Sequence, residues 1–441
     1  MANLSFKGGV HLEYHKEITS ALPIVKMNLP QKVVIPLQQH IGAPCELLTD
    51  VEKGTEVKTG QKLGDNESFV SAPVHSPISG KILEIGPYNH PLGMKINAVT
   101  IESDGRDEWD EKVKSSGTLE DFSAAEIRKI VREAGIVGLG GATFPAHVKL
   151  APPEDKPIDV IIINGAECEP YLTADHRVML EKTEDIVYGL KAMLKAVGAE
   201  KGIIGIEDNK PDALQAMENL VSEEENISVH HLHTKYPQGA EKMLIYATTG
   251  RTVPSGALPF EVGVVNHNVG TAVAVTEAIR EGKPLIERVL TVTGAGVNKP
   301  ANLKVRLGTL AGDILDYCGG LNESVLKLIT GGPMMGFAQP STDVPVIKGT
   351  SGILALTAED AYLTESSPCI RCAKCVNSCP VQLMPTSIAQ AAEHGDYKRA
   401  EKLHALDCFE CGCCAYVCPA KIPLVQWIKI GKAKIMERKK K

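Results

Sequence analysis

The sequence predicts a multidomain α/β protein that ends in a metal-cluster domain. Three observations carry this expectation. Residues from about 30 to 105 offer short apolar runs broken by glycine-centred turns, helix and strand signals then alternate to about residue 280, and eight of the 12 cysteines recur at metal-ligand spacing between Cys369 and Cys418.

The chain's 441 residues leave room for about three domains. Aromatics are only 4% while Gly (40) and Pro (27) are plentiful, which suits short strands and many turns. A net charge of −7 argues against a general nucleic-acid binder. No apolar run reaches the 18 or more residues of a membrane span, and the N-terminus lacks the apolar core of a secretion signal. The cysteines are not spread like a disulfide framework, so a reducing, cytoplasmic location is expected.

The first β-rich segment pairs strand signals such as Lys32–Ile35 and Lys81–Ile85 with turns at Lys53-Gly54, Thr59-Gly60 and Ser79-Gly80. The runs Val51–Leu63 and Ser76–Ile82 resemble the two halves of the lipoyl and biotinyl carrier fold, a barrel-sandwich hybrid. A carrier needs a lysine at the tip between them, and residues 64–71 hold none. That points to a docking module and away from a swinging arm. A polar linker is expected from Ser103 to Thr118.

Beyond it, Ser123-Ala-Ala-Glu126 reads as an N-cap with its box glutamate, opening a helix through Ala134. Asp159–Ile163 reads as a short buried strand. From Pro284 to about Phe337, strands at Val289–Thr293 and Leu303–Leu307 flank the Gly294–Pro300 turn, and a helix from Leu310 to Tyr317 stops at Gly319-Gly320. This stretch resembles the β-grasp ligand-binding module of related redox subunits.

The strongest signal is at the end. Cys369, Cys372, Cys375 and Cys379-Pro380 repeat as Cys408, Cys411, Cys414 and Cys418-Pro419, the ligand run of a two-cluster bacterial ferredoxin. Three thiolates on one tight loop reach three irons of a cube, and the fourth ligates the other cluster. Cys369, Cys372, Cys375 and Cys418 are therefore assigned to one [4Fe–4S] cluster and Cys379, Cys408, Cys411 and Cys414 to the second. Zinc prefers two Cys pairs split by a longer loop. Cys413 neighbours a ligand, but the spacing to Cys418 selects Cys414. Cys45, Cys168 and Cys318 match no motif and read as buried packing. Between the runs, Ile388, Ala391, Ala392, Tyr397, Ala400, Leu403 and Leu406 recur at helical spacing around a break at Gly395-Asp396. The basic residues Lys429, Lys432, Lys434, Arg438, Lys439, Lys440 and Lys441 form either a solvated terminus or a docking strip for an anionic lipid or acidic partner. His230, His231 and His233 invite a metal reading, but neighbours on a strand face opposite ways and no carboxylate or cysteine is expected near them.

Gly138-Leu-Gly-Gly-Ala-Thr-Phe-Pro-Ala-His-Val-Lys149 is either a plain turn or a phosphate cradle. It departs from the dinucleotide fingerprint at Thr143. Three more segments accompany it: Asn164-Gly-Ala-Glu-Cys-Glu169, Tyr236-Pro-Gln-Gly-Ala-Glu241 and Asn266-His-Asn-Val-Gly270. In this order they resemble the flavin- and NADH-binding subunit of respiratory complex I. With the barrel and the double cysteine run, nearly the whole chain resembles the RnfC family, peripheral subunits of the Rnf ion-translocating ferredoxin:NAD oxidoreductase complexes.

That resemblance implies four domains: a barrel-sandwich docking domain over 1–115, an FMN/NADH-binding α/β domain over 116–280, a β-grasp module over 281–345, and a helical double-cluster domain over 346–441. It implies FMN held by Gly138, Gly140, Gly141 and Lys149, with Asn164, Glu167, Glu169, Gly239, Glu241 and Asn268 around the ring, ribityl chain and nicotinamide. Ala166 and Ala240 stand where complex I has acids, and His267 where it has an asparagine. The implied activity is electron transfer between reduced ferredoxin, by way of a ferredoxin-like iron–sulfur partner subunit, and NAD(H). It would act as a peripheral protein at the cytoplasmic side of the cell membrane, with ion translocation left to membrane partners. Two other readings share part of the pattern: a cobalamin reductase with flavin and iron–sulfur groups, which lacks the barrel, and a flavin-less electron-wiring scaffold.

Overall fold

Strands with one apolar face bury it only by pairing and closing over one another. In the computed structural model, which describes residues 4–115, 117–361 and 365–439, the N-terminal strands do this in two small sheets. After β1 (Ile24–Lys26), which belongs to another sheet, come β2 (Lys32–Pro36), β3 (Glu46–Leu47), β4 (Glu56–Val57), β5 (Lys62–Asp65), β6 (Val74–His75), β7 (Gly80–Asn89) and β8 (Lys95–Ser103). They pair in the orders β2-β8-β7-β4 and β3-β5-β6 around a core of Val33, Ile35, Leu63, Ile78, Val99 and Ile101.

The barrel tip is clamped. Arg132 grips both oxygens of Asp65 at 2.7 and 2.8 Å, and Phe69 meets His147 edge-on. Nor is the segment after β8 a free linker. Thr59 and Trp109 form a bridge, with Thr59 N donating to Glu108 O and Asp110 N donating to Thr59 O, so the segment straps the barrel.

The middle region forms α1 (Ala124–Glu133), α2 (Ala146–Lys149), β9 (Val160–Gly165), α3 (Ala174–Glu181), α4 (Thr183–Val197), β10 (Lys201–Glu207), α5 (Pro211–Leu220), β11 (Ile227–Leu232), α6 (Glu241–Thr249), β12 (Val264–Asn268) and α7 (Val269–Glu281). Ser123 caps α1 with the expected reciprocal box to Glu126. The four strands are all parallel in the order β11-β10-β9-β12. Branched residues such as Ile161, Ile162 and Ile163 are buried on both faces, as a parallel sheet requires. The chain leaves β9 in one direction through β10 and β11, and β12 lies on its other side. The switch point, where open α/β sheets hold ligands, is thus at the carboxyl ends of β9 and β12.

The β-grasp part comprises β13 (Glu287–Thr293), β14 (Ala301–Arg306), α8 (Ala311–Tyr317), β15 (Val325–Thr330), β16 (Phe337–Gln339) and β17 (Gly352–Thr357). Its six-stranded sheet has the order β1-β14-β13-β17-β15-β16. The expected limits of 281 and 345 therefore cut this sheet. β17 runs parallel to β13 between it and β15, and β1 arrives from the N-terminal segment to pair with β14.

The cluster domain is helical: α9 (Lys374–Asn377), α10 (Pro385–Glu393), α11 (Tyr397–Lys402), α12 (Cys413–Tyr416) and α13 (Leu424–Lys439). The helical insert between the cysteine runs packs as its spacing predicts, with Ile388, Ala391 and Ala400 in one core with Leu424, Ile428 and Ile435. The basic residues of α13 are largely paired: Lys432 and Lys429 with Glu410, Lys434 with Glu437, and Lys439 with Glu401. Lys440 and Lys441 lie outside the described residues.

Candidate functional site

Glycine-rich loops and amides gather at the switch point. The glycine loop turns back after α1, with Gly138 N donating to Phe144 O, and leaves Gly140, Gly141 and Ala142 at its outer edge. Lys149 lies beyond the loop, its Nζ 2.6 Å from Glu241 Oε1 and 2.9 Å from the carbonyl of Asn266. Asn268 caps α7 through Gly270 N, and its amide donates to Asp175 Oδ2 at 2.6 Å. Beside β9, Asn164 donates to Gly239 O at 2.8 Å. Asn164 and Asn268 end the paired strands β9 and β12, Gly140 approaches Asn268, Gly239 meets Asn164, and Lys149 ties Glu241 to β12. These residues therefore gather around the carboxyl ends of the two strands, the crevice where a ligand would lie.

Glu167 and Glu169 are engaged elsewhere. Glu167 accepts the backbone N–H of Asp175 at 2.7 Å and of His176 at 3.1 Å, fixing the start of α3. The carboxylate of Glu169 accepts the N–H groups of Met334 and Met335 in the β-grasp part, and burial pushes its pKa up to about 7.

Several residues that sequence reasoning missed hold this crevice. Lys16, from the N-terminal segment, donates to the carbonyls of Glu167, Glu169 and Leu172 at 2.8, 2.9 and 2.5 Å. Buried Lys210 holds Ala166 O at 2.7 Å. Arg288 of β13 donates to Leu139 O, so the β-grasp part steadies the glycine loop. Asp175 is raised to about 6 by burial and by Glu167. The sequence signal for such residues is a lysine or arginine at an otherwise apolar position, which does not name its distant partner.

The donor set fits a phosphate-bearing flavin. The exposed loop edge at Gly140 and Gly141 and the charge of Lys149 suit an anion, and side-chain amides suit a polar chain. Among the described residues, both ring nitrogens of buried His267, and Oδ1 of buried Asn266, have no hydrogen-bond partner. Burial and Lys149 push the His267 pKa well down, so its imidazole is neutral.

The cysteine runs are brought together unevenly. Cys379, Cys408, Cys411 and Cys414 surround one cavity with Leu383, Val425 and Ile428. Backbone N–H groups point at their sulfurs, Leu383 N to Cys379 Sγ at 3.3 Å and Glu410 N to Cys408 Sγ at 3.4 Å, as they do to cluster thiolates. Four cysteine sulfurs around an apolar cavity, two of them accepting N–H···S bonds, fit a cubane cluster. Of the other set, Cys375 and Cys418 are buried in the domain core while Cys369 and Cys372 lie on the exposed loop around Ile370. Cys413 also borders this inner cavity, and it is fully buried against Cys168, Tyr236 and Val10. The histidine strip has carboxylate partners that sequence proximity did not reveal: His231 bonds Glu218 at 2.6 Å and His233 lies 3.6 Å from Asp208. Among the described residues, no group of three or more such ligands closes around a single metal ion.

The two candidate sites touch. Tyr236, on the loop beside Gly239, donates its hydroxyl to Cys411 O at 2.8 Å. Gly9 N donates to Ser378 O, and a Cβ on Gly8 would sit 2.9 Å from Cys379 O. The N-terminal segment thus runs along the crevice domain to the cysteine cavity.

Comparison with known proteins follows the same partition. Residues 4–106 match the RnfC barrel sandwich hybrid domain, 131–277 the Nuo51 FMN-binding domain, 289–338 the SLBB domain, and 368–422 the 4Fe-4S dicluster domain. The chain is 49% identical over 437 residues to the C subunit of the Na(+)-translocating ferredoxin:NAD(+) oxidoreductase complex of Acetobacterium woodii, covering 99% of this chain and 98% of that one. It is 50% identical over 430 residues to the proton-translocating counterpart of Clostridium ljungdahlii, covering 97% and 93%. It is 42% identical to the C subunit of the ion-translocating oxidoreductase complex of Rhodobacter capsulatus, covering 99% and 84%. An NAD+-reducing [NiFe]-hydrogenase structure aligns with 68% of this chain and 61% of its own at TM-score 0.48 and 17% identity, too slight a likeness to build on.

Proposed function

This chain belongs to the RnfC family, and we propose that it is the peripheral electron-transfer subunit of a membrane-bound ion-translocating ferredoxin:NAD oxidoreductase, passing electrons between two [4Fe–4S] clusters, FMN and NAD(H). The observation that carries this reading is the contact between Tyr236 and Cys411, which joins the crevice to the cysteine cavity. Bound FMN supplies the chemistry that links a two-electron hydride carrier to one-electron clusters.

The chain's own residues supply binding and spacing. Lys149 and the loop amides of Gly140 and Gly141 hold the phosphate, while Gly138, its amide bonded to Phe144 O, shapes the loop. Asn164 and Asn268 orient the polar chain, and neutral His267 offers a donor and an acceptor inside the crevice. Cys379, Cys408, Cys411 and Cys414 form the ligand set nearest the crevice. Cys369, Cys372, Cys375 and Cys418 form the outer set, whose exposed loop is where a ferredoxin-like iron–sulfur partner delivers electrons.

Ion movement belongs to membrane partners. Among the described residues no helix is long and apolar enough to cross a membrane, and relatives named for sodium and for protons are similar to this chain to the same degree. Peripheral attachment on the cytoplasmic face suits a chain with eight cysteines at cluster spacing, since thiolate ligands persist in a reducing compartment. The barrel separates this reading from that of a cobalamin reductase.

The test is anaerobic reconstitution of the full chain. Iron and sulfide near eight each, about four per cluster, with bound FMN bleached by NADH, support the proposal. A cluster-loaded protein that neither binds FMN nor reacts with NADH overturns it and returns the scaffold reading.

A further inference from the structure

A buried carboxylate is costly unless donors satisfy it. Glu169 meets this demand with backbone amides. Its oxygens accept two consecutive N–H groups, Met334 N at 3.1 Å and Met335 N at 2.9 Å. Its own carbonyl is held by Lys16 Nζ at 2.9 Å, so backbone and side chain are fixed to different parts of the molecule. The fit is close. A Cβ on Gly332 would lie 2.3 Å from Glu169 Oε2, so only glycine lets the β-grasp loop fold over the carboxylate.

Met334 carries this restraint onward. Its side chain packs with Cys411, Cys413, Tyr236 and Cys168, and its Cε lies 3.3 Å from where a Cβ on Gly412 would be. Gly412 follows Cys411 in the ligand run. The charge of Glu169 also bears on Cys411 and Tyr236.

We propose that Glu169 is a positioning residue for electron transfer: by holding Met334 and Met335 it seats the β-grasp loop against the Cys411-Gly412 turn, and so fixes the inner ligand set relative to the crevice. This goes beyond the contact with the nicotinamide that the resemblance implies for Glu169. It rests on the proposed function only for the direction of transfer. The restraint itself exists without flavin.

Glu169→Gln keeps the length and one acceptor but removes the charge and turns an NH2 against one of the two amides. In the reconstituted full chain, hydrogen–deuterium exchange at Met334 and Met335 is expected to rise. In an EPR-monitored redox titration, the signal that Cys414→Ala abolishes shifts to a more positive potential while the other cluster's signal stays. Reduction of the inner cluster by NADH slows several-fold and more than flavin bleaching does. Gly332→Ala, pressing from the opposite side, reproduces the exchange and EPR changes. Unchanged exchange and potential in Glu169→Gln overturn the proposal. So does a raised KM for NADH with both clusters untouched, which marks a nicotinamide contact. If the parent chain binds no FMN, the proposed function fails, and the exchange and EPR results still decide the role of Glu169.

Discussion

The Tyr236 hydroxyl donates to the backbone carbonyl of Cys411 at 2.8 Å, joining residues 175 apart in sequence. Tyr236 is 1% exposed and sits among Val10, Cys168, Cys411 and Cys413, so the bond is dry. A single side chain thus spans from the loop beside Gly239 to the loop that carries three proposed ligands of the inner set, Cys408, Cys411 and Cys414.

Removing that hydroxyl with Tyr236→Phe leaves Cys411 O without its partner at a cost of about 1–3 kcal/mol. The expected outcome is a chain that still takes up both clusters but melts at lower temperature and transfers electrons from flavin to cluster more slowly. Stopped-flow absorbance after NADH mixing reads the transfer. A rate equal to that of the parent removes Tyr236 from the path.

Cys413 and Cys414 are neighbours to which the proposal gives opposite roles. Cys414→Ala is expected to abolish one cluster signal by EPR: both residues border the cavity with Cys379, Cys408 and Cys411, but only Cys414 keeps the ligand spacing to Cys418. Cys413→Ala keeps both signals and costs about 1–2 kcal/mol through lost packing, since Cys413 is fully buried. The reverse result reassigns the ligand.

Lys149 touches both Glu241 and the carbonyl of Asn266 in β12, which places its charge near the carboxyl end of β12. Lys149→Ala is expected to weaken FMN binding at least tenfold, about 1.4 kcal/mol, with iron content unchanged. Fluorescence titration of the apo-flavin chain measures it. Undiminished affinity moves the phosphate away from the glycine loop.

The barrel clamp gives a pH dependence. Burial alone raises the Asp65 carboxyl, but bonds from Arg132 and Lys62 outweigh it and hold the pKa at about 2. A depressed carboxylate adds stability that is complete above its unfolded value of about 3.9 and disappears as pH falls through the folded value. The barrel is therefore expected to lose on the order of 1 kcal/mol between about pH 4 and pH 2, after allowing for solvent screening. Asp65→Asn should flatten that limb of a melting-temperature profile, and an unchanged limb rejects the assignment.

Much of the local structure was legible. The Ser123–Glu126 box, the β13–β14 pair and the cysteine repeats are written in neighbouring residues, because capping, hairpin pairing and cluster loops depend on spacing within a few positions. The linker and the domain limits were less so. Residues 103–118 are polar like a linker, yet the Thr59–Trp109 bridge straps the part around Glu108–Asp110, and β1 joins a sheet formed by strands far along the chain, pairing Ile24 with Asn302.

Spacing along the chain marked the eight proposed cluster cysteines, and resemblance of its motifs pointed to the four kinds of domain and to the loops near the switch point. How these parts meet came from packing. Folding turned Glu167 to α3 and Glu169 to Met334 and Met335, brought Lys16 under the crevice loop, and set Tyr236 on Cys411. A buried polar group must find a partner wherever the packed chain offers one. Local spacing does not encode which distant backbone group that will be.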